Sequence, residues 1–371
     1  MADLRVIHAK IKVNTITGRY VTIAKVYPFL DALSDQFVVG NIGTSVLGKT
    51  IKAVTFGTGP LKIFMWSQMH GNESTTTKAV IDFLSFMQKG SALAFAIFDR
   101  CTIKIIPILN PDGAEAYTRV NANGIDLNRD AQLRSQPESK SLRDCFQKFQ
   151  PDFCFNLHDQ RTIFNVGATP KPATVSFSAP AHDQDRSISK TRGQSMQLIV
   201  AMNKALQEYI PGQVGRYDDA FNPNCVGDTF QMLHKPTILF ESGHFPNDYE
   251  REETRALLFC ALLTGVEVIL KQAIDEYPQK EYFTIPENGK LFYDILIKNA
   301  EIVNKSLQKG TSVGILYKEV LESEILTFVP TLEIIDKIHG FFGHITYNCL
   351  NNSDLEKIKD NQIVYDLLLK N

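Results

Sequence analysis

Leu61-Lys62-Ile63-Phe64-Met65-Trp66, followed after Ser67 by Gln68-Met69-His70-Gly71-Asn72-Glu73-Ser74, is the stretch that organises this chain. The first run is short, apolar and bulky, and reads as a buried strand. Behind it Ala79, Val80, Phe83, Leu84 and Met87 recur at helical spacing. His70 and Glu73 therefore occupy a turn at the carboxyl end of a strand, where open α/β sheets collect ligands. A histidine and a carboxylate in one tight turn can face a single cation, and Zn²⁺ accepts both kinds of donor.

Working outward, residues 37–42 and 50–56 read as strands around the turn 43–48. Residues 102–109 form another buried strand, ending in the turn chemistry of Asn110-Pro111-Asp112-Gly113. A polar loop, 117–134, precedes a helix opened by Pro137 and reaching about Phe149. Residues 153–158 are a third buried strand, 187–209 a helix, and 211–227 a polar loop of the kind that carries function. Residues 236–240 form a further strand ending at Glu241, after which Asn247 is placed to cap a helix reaching about Ala273. Strands alternating with helices predict an α/β fold with a mixed, largely parallel central sheet flanked by helices. The first 35 residues show no clear period. Beyond Pro278 the pattern changes to short strands, so the expected division is a catalytic domain at 1–278 and a small α+β or β-rich domain at 279–371.

Composition limits the function classes. The chain has 371 residues, 44% hydrophobic and 22% charged, with a formal net charge of −2. That balance gives no reason to expect nucleic acid or an anionic membrane as partner. The longest apolar stretch, 256–270, is interrupted by Thr264 and Glu267 and reads as a core helix. The first twenty residues contain no continuous apolar segment of the secretory type. The six cysteines form no CxxC pair, which fits reduced thiols and a cytoplasmic setting.

Four strand ends carry polar residues that packing alone disfavours. They supply His70 and Glu73; then Arg119, Asp126, Asn128 and Arg129 through the polar loop; then His158; then Glu241. Two histidines, one carboxylate and an open position are the donor set of a catalytic zinc, which lowers the pKa of a bound water towards roughly 7. Glu241 then suits a general base and acid, Arg119 an oxyanion-stabilising cation, and Arg129 a bidentate carboxylate clamp.

The ordered set His70-Gly-Asn-Glu73, Asn110-Pro-Asp-Gly113, Tyr117-Thr-Arg119, Gly124-Ile-Asp-Leu-Asn-Arg129, Asn156-Leu-His158 and Leu239-Phe-Glu241 resembles the zinc metallocarboxypeptidase (carboxypeptidase A-like) family. His158-Asp159-Gln160 is similar to its more divergent bacterial branches. The resemblance spans about residues 41–273 and implies one Zn²⁺ per chain held by His70, Glu73 and His158. It also implies a catalytic Glu241, a carbonyl-polarising Arg119, a substrate-carboxylate site at Asn128 and Arg129, and Asp126 orienting His70. Family members carry a tyrosine on a mobile loop, for which Tyr217 is the candidate. The loop around Cys225 departs from the digestive-enzyme pattern.

The expected activity is release of a C-terminal amino acid from a peptide. The rival is deacylation of an acyl-amino acid, as in the related aspartoacylase and succinylglutamate desuccinylase. Either substrate carries a free carboxylate. A binding module that has lost its chemistry would predict a damaged site, yet every motif position is intact. His182, His234, His244 and His339 match no ligand position and read as structural or solvent-facing. Cys225 has no histidine placed to make it a nucleophile.

Overall fold

The structure, a computed structural model, describes residues 3–337 and 340–369, so His339 lies outside the described residues. The chain divides into two units, Met1–Gln160 with Ala173–Asn288, and Arg161–Pro172 with Gly289–Asn371.

The first unit contains helices α1 (Leu4–Ile11) and α2 (Ile23–Asp31), then strands β1 (Phe37–Thr44), β2 (Thr50–Phe56) and β3 (Leu61–Ser67). Next come α3 (Thr75–Lys89), α4 (Ala92–Arg100), β4 (Cys101–Ile106), α5 (Pro111–Ala116) and α6 (Pro137–Phe149). They are followed by β5 (Phe153–Asp159), β6 (Val175–Ser178), α7 (Lys190–Gln207), β7 (Val214–Arg216), α8 (Val226–Met232), β8 (Thr237–Ser242) and α9 (Glu252–Lys271). The strands form one eight-stranded sheet in the order β1-β2-β4-β3-β5-β8-β6-β7. Its centre, β4-β3-β5-β8, is parallel throughout, with antiparallel pairings at β1–β2, β2–β4 and β6–β8. Parallel strands end on a common edge. All four chemistry-bearing strand ends therefore meet there.

Side-chain alternation divides the core. Ile63 and Met65 of β3 pack with α3, α7 and α9 on one face, while Phe64 and Trp66 pack with Leu142, Phe146 and Phe230 of α6 and α8 on the other. On β5, Phe155 and Leu157 face the first layer, as do Ile238 and Phe240 of β8. His158 and Glu241 are thus turned to the opposite face. Helix α9 is buried almost all round, which explains why its sequence is apolar without a dominant stripe. No single helix among the described residues is long and apolar enough to cross a membrane.

Some local expectations change. Asn247 does not cap α9. It adopts φ 62°, and the Asp248 carboxylate accepts the N–H groups of Glu252 (2.9 Å), Glu253 (2.8 Å) and Thr254 (3.2 Å) instead. Asn110-Pro111-Asp112-Gly113 opens α5 as well as making a turn, because the Asn110 side chain accepts from Gly113 N–H at 2.9 Å and Pro111 fits the first helical position.

The second unit holds strands β9 (Phe292–Lys298), β10 (Ser312–Glu322), β11 (Ile325–Asp336) and β12 (Phe342–Asn348), then helices α10 (Asn352–Asp360) and α11 (Gln362–Leu369). The sheet order is β11-β10-β9-β12, with β9 and β12 parallel. Ile295, Ile297, Val313 and Ile315 pack against Ile358, Val364 and Leu368 of the two helices. Residues 292–303 are a strand followed by a 3₁₀ turn at Ala300–Ile302. The β10–β11 hairpin turns at Ser323 and Glu324, both at positive φ as a two-residue turn requires.

Candidate metal and catalytic site

The site is built where three loops are tied to one another. A Cβ on Gly71 would stand 1.9 Å from the carbonyl carbon of Gly113, so only glycine lets the β3–α3 turn approach α5. Asn110 Nδ2 donates to Met69 O and Val120 O, both at 3.2 Å, joining that turn to the polar loop. The loop is ordered by its own amides and acids. Asn121 Oδ1 accepts from Asn123 and Ile125 N–H, and the Asp130 carboxylate from Ser135 and Gln136 N–H.

His70, Glu73 and His158 offer ligand atoms that all lie within 4.8 Å of one another, and all three residues are buried. His70 Nδ1 is 2.8 Å from Glu73 Oε1, and His158 Nδ1 is 2.8 Å from Glu73 Oε2. The two Nδ1 atoms are 3.1 Å apart. Two nitrogens on one tetrahedral Zn²⁺ would stand ~3.3 Å apart, given Zn–N near 2.05 Å. The donor set therefore fits zinc in both chemistry and spacing. His70 Nε2 lies 3.0 Å from Asp126 Oδ1, the carboxylate–histidine arrangement that orients a metal-binding imidazole.

The electrostatics agree with a site made for a cation. Burial disfavours a charge on Glu73, but the two imidazoles outweigh it and hold its carboxyl well below the usual range. For His70 the burial penalty is outweighed by Glu73 and Asp126, which raises its pKa, whereas burial lowers that of His158 despite Glu73.

Glu241 stands opposite His158 in the parallel β5–β8 register. It is 7% exposed, and its Oε2 has no hydrogen-bond partner among the described residues. Burial, then the charges of Glu73 and Asp159, push its pKa well above the ordinary carboxyl value. A buried carboxyl of raised pKa beside a cation site is equipped to give and take a proton.

Arg119 sits at the rim, its Nη1 donating to Glu73 Oε1 and its Nε to Asp126 Oδ2, each at 3.1 Å. Asn128 N–H donates to Asp126 Oδ1 at 2.8 Å, while Asn128 Oδ1 accepts from Val226 N–H at 3.0 Å. Only its Nδ2 group is left to donate outward. Exposed Arg129 donates through Nη1 to Asn128 O at 2.9 Å and contacts Cys225 Sγ at 3.2 Å. No carboxylate among the described residues pairs with it.

Tyr217 follows edge strand β7 and is held by its N–H donating to Phe177 O at 2.8 Å. Burial, then the nearby charges of Glu241 and Glu73, raise the pKa of its phenol. His244 packs on Tyr249, with ring centroids 4.6 Å apart, and His182 Nε2 lies 3.4 Å from Asp183 Oδ2. Burial raises the Cys225 thiol pKa to about 11, which disfavours the thiolate that a nucleophile needs. All six cysteines are free thiols.

Sequence reasoning passed over two features. Asp159 donates its N–H to Glu73 Oε2 at 3.2 Å, and Cys225 lies against Arg129. For Asp159 the available signal was its place directly after His158 at a strand end.

Comparison with known proteins places these observations. A probable carboxypeptidase 2 of Arthroderma benhamiae is 24% identical over 112 residues, covering 30% of this chain and 20% of that protein. Carboxypeptidase 2 of Trichophyton rubrum is 24% identical over 99 residues, covering 27% and 18% respectively. The matched part thus spans about a fifth of these curated relatives. Among solved structures, a metallo-carboxypeptidase from Burkholderia cenocepacia superimposes with a TM-score of 0.54 at 20% identity, over 67% of this chain and 69% of that one. Carboxypeptidase A from Helicoverpa armigera gives 0.55 at 16% identity, over 73% and 80%. These likenesses establish the fold. Residues 26–223, more than half of the chain, match the zinc carboxypeptidase family, and the chain belongs to that family.

Proposed function

We propose that this chain is a zinc-dependent hydrolase that releases the C-terminal residue of a peptide. The observation that carries the proposal is the convergence of His70, Glu73 and His158 with Glu241 in register beside His158. Zn²⁺ held by those three residues would polarise the scissile carbonyl and lower the pKa of water. The remaining work falls to the chain's own side chains. Asn128 Nδ2 and the Arg129 fork capture the substrate's terminal carboxylate. Arg119, already at the rim, turns its guanidinium to the oxygen on which charge develops. Glu241 takes a proton from water and passes it to the departing amine. Tyr217 covers the substrate from the sheet edge and helps to exclude water.

Glu241→Gln tests this chemistry. The amide cannot act as a base, so kcat falls by a factor of about 10²–10⁴ while zinc content stays at one per chain. Full activity in zinc-loaded Glu241→Gln refutes the assignment.

The separate β-rich second unit favours one alternative, deacylation of an acyl-amino acid. Turnover of dipeptides against acetylated and succinylated single amino acids decides between the two, because both place the same carboxylate on Arg129.

A further inference from the structure

Helix α3, which begins two residues after Glu73, lacks its own cap. The N-cap residue Ser74 makes no side-chain capping bond; its hydroxyl donates to Arg19 O instead. The first N–H groups of a helix need acceptors, and buried ones need them most. Here they are supplied from another strand. Asp159 Oδ2 accepts from Thr75 N–H at 2.9 Å and Asp159 Oδ1 from Thr76 N–H at 3.3 Å. In return Asp159 N–H donates to Glu73 Oε2 at 3.2 Å. This exchange has the logic of a capping box, but it joins the end of β5 to the start of α3 across more than eighty residues of sequence.

The ring is closed through the proposed ligands. His158 precedes Asp159 on β5, and Glu73 precedes the helix that Asp159 caps. Each of the two backbones is therefore referenced to the other by the Asp159 carboxylate. We propose that Asp159 is the positioning residue that sets the distance between the His70–Glu73 turn and His158. It fixes one oxygen of Glu73 with its own N–H and caps α3 with its carboxylate. The helix dipole adds to the fit, since a carboxylate at a helix N-terminus is favoured. The inference rests on the metal assignment above.

The same fold contains a control. Asp248 caps α9 with the same carboxylate-to-N–H chemistry but makes no contact with His70, Glu73 or His158. Zinc affinity is measured by competition with a chromophoric chelator on wild type, Asp159→Asn and Asp248→Asn, together with thermal midpoints. Asp159→Asn is expected to bind zinc about 10–100-fold more weakly, the usual effect of removing a group that holds a metal ligand in place. Asp248→Asn is expected to melt earlier yet to bind zinc with wild-type affinity. Asp159→Ser, which like the Asn variant keeps a single acceptor oxygen, should show a loss of the same order and serves if the Asn variant does not fold. Equal zinc affinity in wild type and Asp159→Asn overturns the proposal, as does failure of both Asp159 variants to fold. A wild-type protein that binds no zinc sinks the metal assignment instead, a distinguishable outcome.

Discussion

Replacing Asp126 by alanine removes a carboxylate that three donors share. Its Oδ1 lies 3.0 Å from His70 Nε2 and accepts from Asn128 N–H at 2.8 Å, while Oδ2 accepts from Arg119 Nε at 3.1 Å. The His70 imidazole then loses the partner that fixes its orientation, and zinc affinity should fall about 10–100-fold, or roughly 1.4–2.7 kcal/mol. The pH dependence has a definite sign. Burial works against the charged form of His70, but Glu73 and Asp126 raise its pKa overall. Protons compete with metal for that nitrogen. Without Asp126 the His70 pKa drops, so the variant suffers less proton competition than wild type as pH falls. The affinity gap is therefore widest near pH ~8 and narrows towards pH ~5.5, where histidines take up protons. Chelator competition across that range measures both quantities. Wild-type affinity in Asp126→Ala, alongside loss of binding in His70→Ala, would refute the reasoning. A gap that widens at low pH would do the same.

Two further perturbations test the scaffold. Asp82 accepts from Arg255 Nε and Nη2, both at 2.6 Å, with both side chains fully buried and His8 Nε2 at 2.7 Å. Asp82→Ala leaves a buried guanidinium without that partner and should cost about 3–5 kcal/mol, read from urea midpoints, while the folded fraction keeps its zinc affinity. A loss below ~1 kcal/mol, the scale of an exposed pair, would show that Arg255 finds an equivalent acceptor. Burial raises the Asp228 carboxyl to about 7, above its unfolded value. The folded protein therefore holds that proton more tightly, and stability falls as pH rises from about 4 to 7. Asp228→Asn, close in shape and never ionised, should match wild type near pH ~4 and exceed it above pH ~7 by up to about 4 kcal/mol. Parallel stability–pH curves for the two proteins would remove Asp228 from this account.

Much of this molecule follows from local sequence. Ile63, Phe64, Met65 and Trp66 alternate between two packed faces, so an unbroken apolar run there could only be a strand buried on both sides. Polar residues at the ends of such runs are costly to bury without a partner, which is why His70, Glu73, His158 and Glu241 could be singled out one strand at a time. The motif order then implied the family without any three-dimensional information. The N-terminal helices α1 and α2 escaped notice for a physical reason. They are short, and α1 presents only Leu4, Ile7 and Ile11 to the core, too few repeats to establish a period. The β10–β11 hairpin is half-exposed over much of its length, so its alternation is weak and the sequence shows its two strands only in part.

What sequence alone determined is the set of residue types and the element that delivers each. Periodicity and turn chemistry act over a few residues, and both are written in the chain. Tertiary structure decided the distances and the partners. Parallel pairing set Glu241 beside His158, the glycine-only approach of Gly71 to Gly113 brought the β3–α3 turn against α5, and Asp159 capped a helix that begins eighty-odd residues earlier. Those outcomes depend on the register between strands and on which backbone groups burial leaves without acceptors. Neither quantity exists until the sheet has formed.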